Sequence, residues 1–432
     1  MSNEVLNFTN ALRQTQWFSA DEILDLQIPQ LERLLRHAVA QTLGYAERLA
    51  PVFEGEMFDF ERWREIPILT RADLQDHQSL YRARNVPPQT GAILHYATSG
   101  STGRPIEFVK SQLMVHASHA LMERMFDWAD ADRDLSFFGL IPGPSNSTVS
   151  TRPIIRPSWS SIGGTGIRTQ VDARNPVSLI LAELAIAKPH YLHAMPNTVS
   201  GIIRESQNFD WAINLKAVFC YSEALHNDLE ALIKEKLGVP VFDNYASEEA
   251  GGLATRCAAS HHHHIASEMN YVEVVRDDGA LCEPGETGRV IVTPLYNFAL
   301  PLIRYDQGDM AEVPLTPCPC RRGLPSLSKI VGRQRDMFLT PSGSRVVARL
   351  PHEELTSHIA AAQWQMIQHN VHDIEFKYVP LGPAQQPDYV GLKSRLEMGL
   401  GFPINLTITA VSTIEKTKNG KFRETMCFIE PT

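Results

Sequence analysis

The stretch His95–Phe108, HYATSGSTGRPIEF, gathers Thr98, Ser99, Ser101 and Thr102 around Gly100 and Gly103 before entering an apolar, β-prone run. Small hydroxyls and glycines leave consecutive backbone amides open, and such a nest wraps an anion, with Arg104 adding charge. The same composition also suits a plain surface loop, and the stretch alone does not separate the two. No lysine follows a glycine at the Walker spacing, so this is not a P-loop NTPase.

Around this stretch lie 432 residues, enough for a large domain and one or two smaller ones. Hydrophobic residues make up 43% and charged residues 21%, as in a globular chain with ample core. A formal net charge of −9 excludes general binding to nucleic acid or anionic membranes, which need a basic surface. It leaves room for a local basic site for a nucleotide. No apolar run reaches the roughly 18 residues of a membrane span, and the amino end lacks a charged-then-apolar leader, so a cytoplasmic location is expected. The six cysteines then read as reduced thiols or metal ligands rather than a disulfide framework.

Residues 20–50 carry Leu and Ile at helical spacing, and Pro29 is expected to divide them into two helices. A helix is expected over His116–Trp128, then a strand at SFFGLIPGP and an irregular segment, Ser145–Gln170. Between Asn175 and Gly251 short apolar runs alternate with helices, the mark of an α/β sheet with covering helices. Residues 268–313 are β-rich, with a DDG turn and another at Pro284–Gly285. A small α+β domain is expected after about Met337, with a helix over His352–Met366 and strands at DIEFKYV and INLTITAV.

Four further segments carry chemistry. Asn244-Tyr245-Ala246-Ser247-Glu248 follows the apolar run Val239–Phe242, and ligands of open α/β sheets bind at the carboxyl ends of strands. Glu248 suits Mg²⁺, although Ser247 with Glu248 and Glu249 also reads as a capped, solvated helix start. Arg304–Asp309, RYDQGD, reads as a turn presenting Asp309 to a diol such as ribose. Gly332-Arg333 with Asp336, and the basic run Lys416–Arg423, close the series; a terminal basic run is otherwise a frayed tail.

In this order the segments resemble the adenylate-forming acyl ligase superfamily, in the branch of phenylacetate-CoA ligase and the capsular-polysaccharide-type adenylating proteins. The resemblance runs through IPILTRADL, YATSGSTGRP, LKAVFCYSEAL, DNYASEEAGGLATRC, LIRYDQGDM and IVGRQRD to the terminal NGKFR, nearly the whole chain. It implies an α/β fold with a large ATP- and acyl-binding domain, residues 1–333, and a small mobile α+β domain, residues 334–432. It also implies that a carboxylate attacks the α-phosphorus of Mg·ATP, giving an acyl-adenylate and pyrophosphate, after which a nucleophile, often the CoA thiol, displaces AMP.

Carried over by residue, the resemblance assigns Thr98, Ser99, Gly100, Ser101, Thr102 and Gly103 to the β- and γ-phosphates. Tyr245 would pack by the adenine, with Ser222, Glu223, Asn244 and Ala246 beside it, and Ser247 would bind the α-phosphate. Glu248 would ligate Mg²⁺, and Asp309 would take the ribose hydroxyls with Arg333 alongside. Lys421 would be the catalytic lysine, and Arg333–Asp336 the hinge of the small domain. Trp159, Tyr191, Met195, Tyr221 and Asn244 are acyl-pocket candidates, their aromatic members favouring a flat aryl or arylacetic acid by stacking; each equally suits a core.

Cys257, one of His261–His264 and the pair Cys318-Pro-Cys320 supply three thiolates and an imidazole, a closed tetrahedral shell for structural zinc. The alternative is an exposed polar run beside small core thiols. The resembling branch often shows a Cys, a His and a C-x-C here, which implies the metal, and the spacing to Glu273 favours His264. Arg104 stands for a usual Lys, Ala246 and Ser222 for usual glycines, and Arg335 for a common acidic or Lys residue. These departures bear on the acceptor, so CoA, a carrier protein or an amine all stay open, as does a homodimer. A stand-alone adenylating enzyme feeding a carrier or amine, and a non-catalytic zinc-stabilised nucleotide-binding protein, are the competing readings; joint retention of Glu248, Asp309, Arg333 and Lys421 argues against the latter.

Overall fold

Apolar runs buried on both faces form the centre of the molecule, as expected of parallel strands covered by helices. Phe137–Leu140 and Tyr191–Ala194 are buried throughout and pair in parallel. Arg168–Val171 extends this set on one side, and Ala217–Tyr221 and Val241–Ser247 on the other, all parallel. Antiparallel strands Gly251–Arg256, His263–Ile265 and Ser326–Leu327 then continue one edge, and Ile154–Arg156 closes the other, giving a nine-stranded sheet. The computed structural model describes residues 3–97, 106–144, 147–348, 350, 355, 357–382, 386–415, 417 and 422–429.

Helices Val177–Ala187, Pro196–Glu205 and Asn227–Leu237 bury Ile180, Leu184, Val199, Ile202 and Ile233 against one face of this sheet. Helix Gln112–Trp128 covers the other, where Phe126 meets Phe137, Trp159 and Phe219 edge to face. A second, antiparallel sheet follows in the order Asn270–Val275, Thr287–Pro294, Tyr305–Glu312, Lys329–Arg333. Its first hairpin turns through Asp277–Gly279, and Gly285 turns at positive φ, as the DDG and Pro-Gly signals predict.

The last third sheet pairs Asn405–Ala410, Asp373–Pro380, Ala361–Gln368 and Thr425–Cys427 in that order. Helix Tyr389–Leu400 lies in sequence between two of these strands, and the segment has a core of its own built on Phe338, Leu355, Trp364, Phe376 and Leu392.

Four sequence expectations change. Helix Ala20–Gln41 runs unbroken through Pro29. Pro29 and Asp25 lie on its exposed face, where water can take the freed carbonyl, while Ile23, Leu31, Leu34 and Leu35 bury the opposite stripe. The helix expected over His352–Met366 fails from Ala361 on, where Ala361–Gln368 is a strand paired on both sides. A short apolar run buried on both faces carries no period that separates helix from strand. Ser247 does not start a helix: Val241–Ser247 and Gly251–Arg256 form an antiparallel hairpin. Asp309 sits within a strand rather than in a turn.

Arg304 ties this framework together. Its left-handed backbone (φ +49°) turns a buried guanidinium onto Glu273, 3.1 Å away, and onto the carbonyls of Arg64 and Ile66. Leu69 N–H donates to the Arg304 carbonyl and Asp306 N–H to the Leu69 carbonyl, so IPILTRADL lies along RYDQGD.

Candidate functional site

A cleft of about 1660 Å³ opens at the carboxyl ends of the parallel strands. Tyr221, Ser222 and Glu223 line it where strand Ala217–Tyr221 ends, and Asn244, Tyr245, Ala246, Ser247 and Glu248 where Val241–Ser247 ends. The second sheet adds Asp309 and Arg333, and the small C-terminal unit adds Trp364, Phe422 and Arg423.

The Tyr245 hydroxyl donates to Asp309 Oδ2 at 2.8 Å. Asp309 pairs in register with Arg333, whose Nε lies 3.5 Å from Asp309 Oδ1. Burial, reinforced by the Asp309 charge, holds the Tyr245 hydroxyl well above its ordinary pKa, so it stays a donor. A β-bulge between Tyr245 and Ala246 reorients the strand end.

Ser247 Oγ accepts from Ala250 N–H and closes the hairpin turn. Gly251 and Gly252 let that hairpin approach helix Gln112–Trp128: a Cβ on Gly252 would lie 3.0 Å from Leu121 Cδ1, and Gly251 also has φ +77°. The adjacent glutamates part company. Glu249 is buried on Arg71 at 3.2 Å, whereas the Glu248 side chain is 64% exposed and lies 3.6 Å from Lys110 Nζ. Lys110 also sits over the Tyr96 ring, and burial lowers its pKa against the raising effect of Glu248. Lys110 is absent from the sequence expectations; its signal was a lone lysine inside an apolar run, FVKS.

Ser222 has φ +72°, the left-handed region glycine favours, so the departure from glycine carries strain. Glu223 accepts from Asn197 N–H at 3.1 Å and from Phe422 N–H at 3.0 Å. It thereby joins the start of helix Pro196–Glu205 to the chain terminus.

Of the acyl-pocket candidates, Met195, Tyr221 and Asn244 line the cleft. Trp159 and Tyr191 do not. Trp159 stacks on Phe137 and donates to the Leu135 carbonyl, and Tyr191 accepts from Asp132 N–H, so both belong to the aromatic core. Thr98, Ser99, Gly100, Ser101, Thr102, Gly103 and Lys421 lie outside the described residues.

Away from the cleft, the ligand atoms of Cys257, His264, Cys318 and Cys320 all lie within 4.8 Å of one another. His264 Nδ1 donates to the Leu324 carbonyl at 3.0 Å, which turns Nε2 towards Cys320 Sγ at 3.2 Å. His263 instead meets Asp243, and His261 the Arg256–Glu230 pair. An oriented imidazole with three thiols fits a soft, tetrahedral ion.

No protein-family model matches the chain. It is 24% identical over 339 residues to the phenylacetate-coenzyme A ligase of Thermus thermophilus, covering 74% of this chain and 72% of that one. It is 25% identical over 333 residues to the enzyme of that name from Escherichia coli, covering 74% and 73%. A solved 2-hydroxyisobutyryl-CoA ligase in its postadenylation state superposes with a TM-score of 0.71 at 17% identity, over 96% of this chain and 91% of that one. An anthranilate CoA ligase holding anthranoyl-AMP gives 0.53 at 16% identity, over 76% and 65%. The chain is a relative of AMP-forming acid–CoA ligases and has the adenylate-forming ligase fold.

Proposed function

We propose that this protein activates an aryl or arylacetic acid with Mg·ATP, releasing pyrophosphate, and passes the acyl group from the adenylate to the thiol of CoA. The observation that carries the reading is the Tyr245–Asp309–Arg333 set at the cleft, with Glu248 at the end of the same strand as Tyr245. Asp309 has a carboxylate to accept from two ribose hydroxyls, Tyr245 offers a ring for the adenine, and Arg333 sets its guanidinium beside the Asp309 carboxylate.

Glu248 fits Mg²⁺, since it is an exposed carboxylate with space for phosphate oxygens. The ion would neutralise phosphate charge there. Lys421, next in sequence to the Glu223-bound Phe422, would balance the charge that moves onto the leaving pyrophosphate. Arg333–Asp336 would act as the hinge that lets the small unit serve both half-reactions. The Cys257, His264, Cys318 and Cys320 set would hold structural zinc, with no open position for chemistry.

The test is ATP–pyrophosphate exchange across a panel of carboxylic acids, followed by mass spectrometry of the product with CoA. Exchange with at least one acid and a CoA thioester are expected, and Lys421→Ala should cut exchange by orders of magnitude with folding intact. Absence of exchange with every acid would overturn the reading.

A further inference from the structure

One wall of the cleft is more polar than a flat aryl acid requires. Parallel register sets Gly139, His193 and Phe219 abreast, with Tyr221 and Asn244 paired one step further towards the carboxyl ends. In-register parallel strands place these side chains on one face, the face covered by helix Gln112–Trp128. Phe137, Tyr191, Phe219 and Phe242 fill its lower part as core. Abreast of Phe219, Gly139 leaves a gap, and Arg168 from the neighbouring strand reaches into it from behind the cleft-lining His193. A Cβ on Gly139 would stand 3.7 Å from Arg168 Nη2 and 3.8 Å from its Nε.

His193 lines the cleft, is only 8% exposed and has no hydrogen-bond partner for Nε2. Its ring packs on Tyr221 at 4.5 Å between centroids. Burial, and then the Arg168 charge, push His193 down to about 3, so the ring is neutral and can present an N–H. Among the described residues the Arg168 side chain makes no hydrogen bond or ion pair, and its buried Nε has no partner. The charged and titratable groups acting on it are Arg156, a like charge, and Tyr221, whose hydroxyl donates to the Leu140 carbonyl. His119, another cleft residue, also lies within its field. A half-buried guanidinium and a buried imidazole without an acceptor are costly away from water and ordinary beside an anion.

We propose that this corner receives a second carboxylate, so that the acid activated here is a dicarboxylic acid whose non-reacting carboxylate lies against Arg168 and His193. The inference rests on the acid-activating reading above and narrows its substrate class. Arg168 supplies charge and a planar fork of donors, and His193 a neutral donor that does not add to the like-charge repulsion from Arg156.

Pyrophosphate exchange with matched pairs on one skeleton tests it: benzoate against isophthalate, phenylacetate against 1,3-phenylenediacetate, hexanoate against adipate. In at least one pair the diacid should be favoured in kcat/KM by on the order of 10- to 100-fold, the scale of charge-assisted hydrogen bonding. Arg168→Met should collapse that ratio towards one through the diacid KM, Arg168→Lys should keep part of it, and His193→Gln should lower it less than Arg168→Met. Should Arg168→Met unfold, the Arg168→Lys and His193→Gln ratios decide. Monoacids used as well as or better than diacids in every pair, or a ratio indifferent to Arg168, would overturn this inference and leave acid activation standing. No exchange with any acid would remove both.

Discussion

Tyr245 and Asp309 come from different sheets, yet the tyrosine hydroxyl reaches the aspartate Oδ2 across 2.8 Å. The contact closes the cleft where the parallel sheet and the antiparallel sheet meet. Arg333, paired in register with Asp309, holds the carboxylate from the other side.

Removing that carboxylate should therefore be felt by the nucleotide. Asp309→Ala is expected to raise the ATP KM in pyrophosphate exchange by about 10- to 100-fold, the value of hydrogen bonds to a charged group. Tyr245→Phe, which keeps the ring, should cost less. An ATP KM unchanged in Asp309→Ala would refute the assignment.

Glu223 holds Phe422 N–H and Asn197 N–H together. Glu223→Ala should release the chain terminus and speed amide exchange at Phe422–Thr425 by about 10-fold or more, a loss of over 1 kcal/mol of local protection. Exchange mass spectrometry reads this directly. Unaltered protection there would show that the contact does not anchor the segment.

Ser222 occupies a left-handed backbone position. Ser222→Gly should relieve about 1 kcal/mol of strain and raise the melting temperature by about 1–3 °C. A lower melting temperature would mean that the serine side chain contributes more than its backbone costs.

Glu273 faces Arg304 in the interior at 3.1 Å and also accepts from Trp63 Nε1. Glu273→Ala leaves a buried guanidinium without its counter-charge, and a loss of about 3–5 kcal/mol is expected. Urea unfolding measures it, and a change below 1 kcal/mol would count against the pair as the tie between the amino-terminal segment and the second sheet.

Metal removal is the fourth lever on stability. One zinc per chain is expected by elemental analysis, and chelation should lower the melting temperature because the ion binds the folded state. Cys318→Ser should lose the zinc. Protein purified without chelators and free of zinc would rule the site out.

Much of this was legible in the chain. The alternation of apolar runs and helices from Asn175 to Gly251 marked the α/β core, and Asn244–Glu248, Asp309 and Arg333 converge on one cleft as their order suggested. Trp159 and Tyr191 fall to the core side of the two readings open to them, because an aromatic residue has the same sequence signature in a core as in a pocket. Lys110, His193 and Arg168 gave little warning, since each is a single polar residue in a strand whose neighbours across the sheet are distant in sequence.

The sequence by itself determined the order of the candidate segments and the α/β alternation around them, because local composition, turn residues and short apolar periods are properties of contiguous chain. It also singled out Cys257, Cys318 and Cys320 as a set. Only the tertiary structure decided that His264 rather than its three neighbours faces those thiols, that Glu248 is exposed while Glu249 is buried on Arg71, and that Pro29 does not break its helix. Those outcomes depend on which face of a strand or helix is buried and on what packs there from far along the chain.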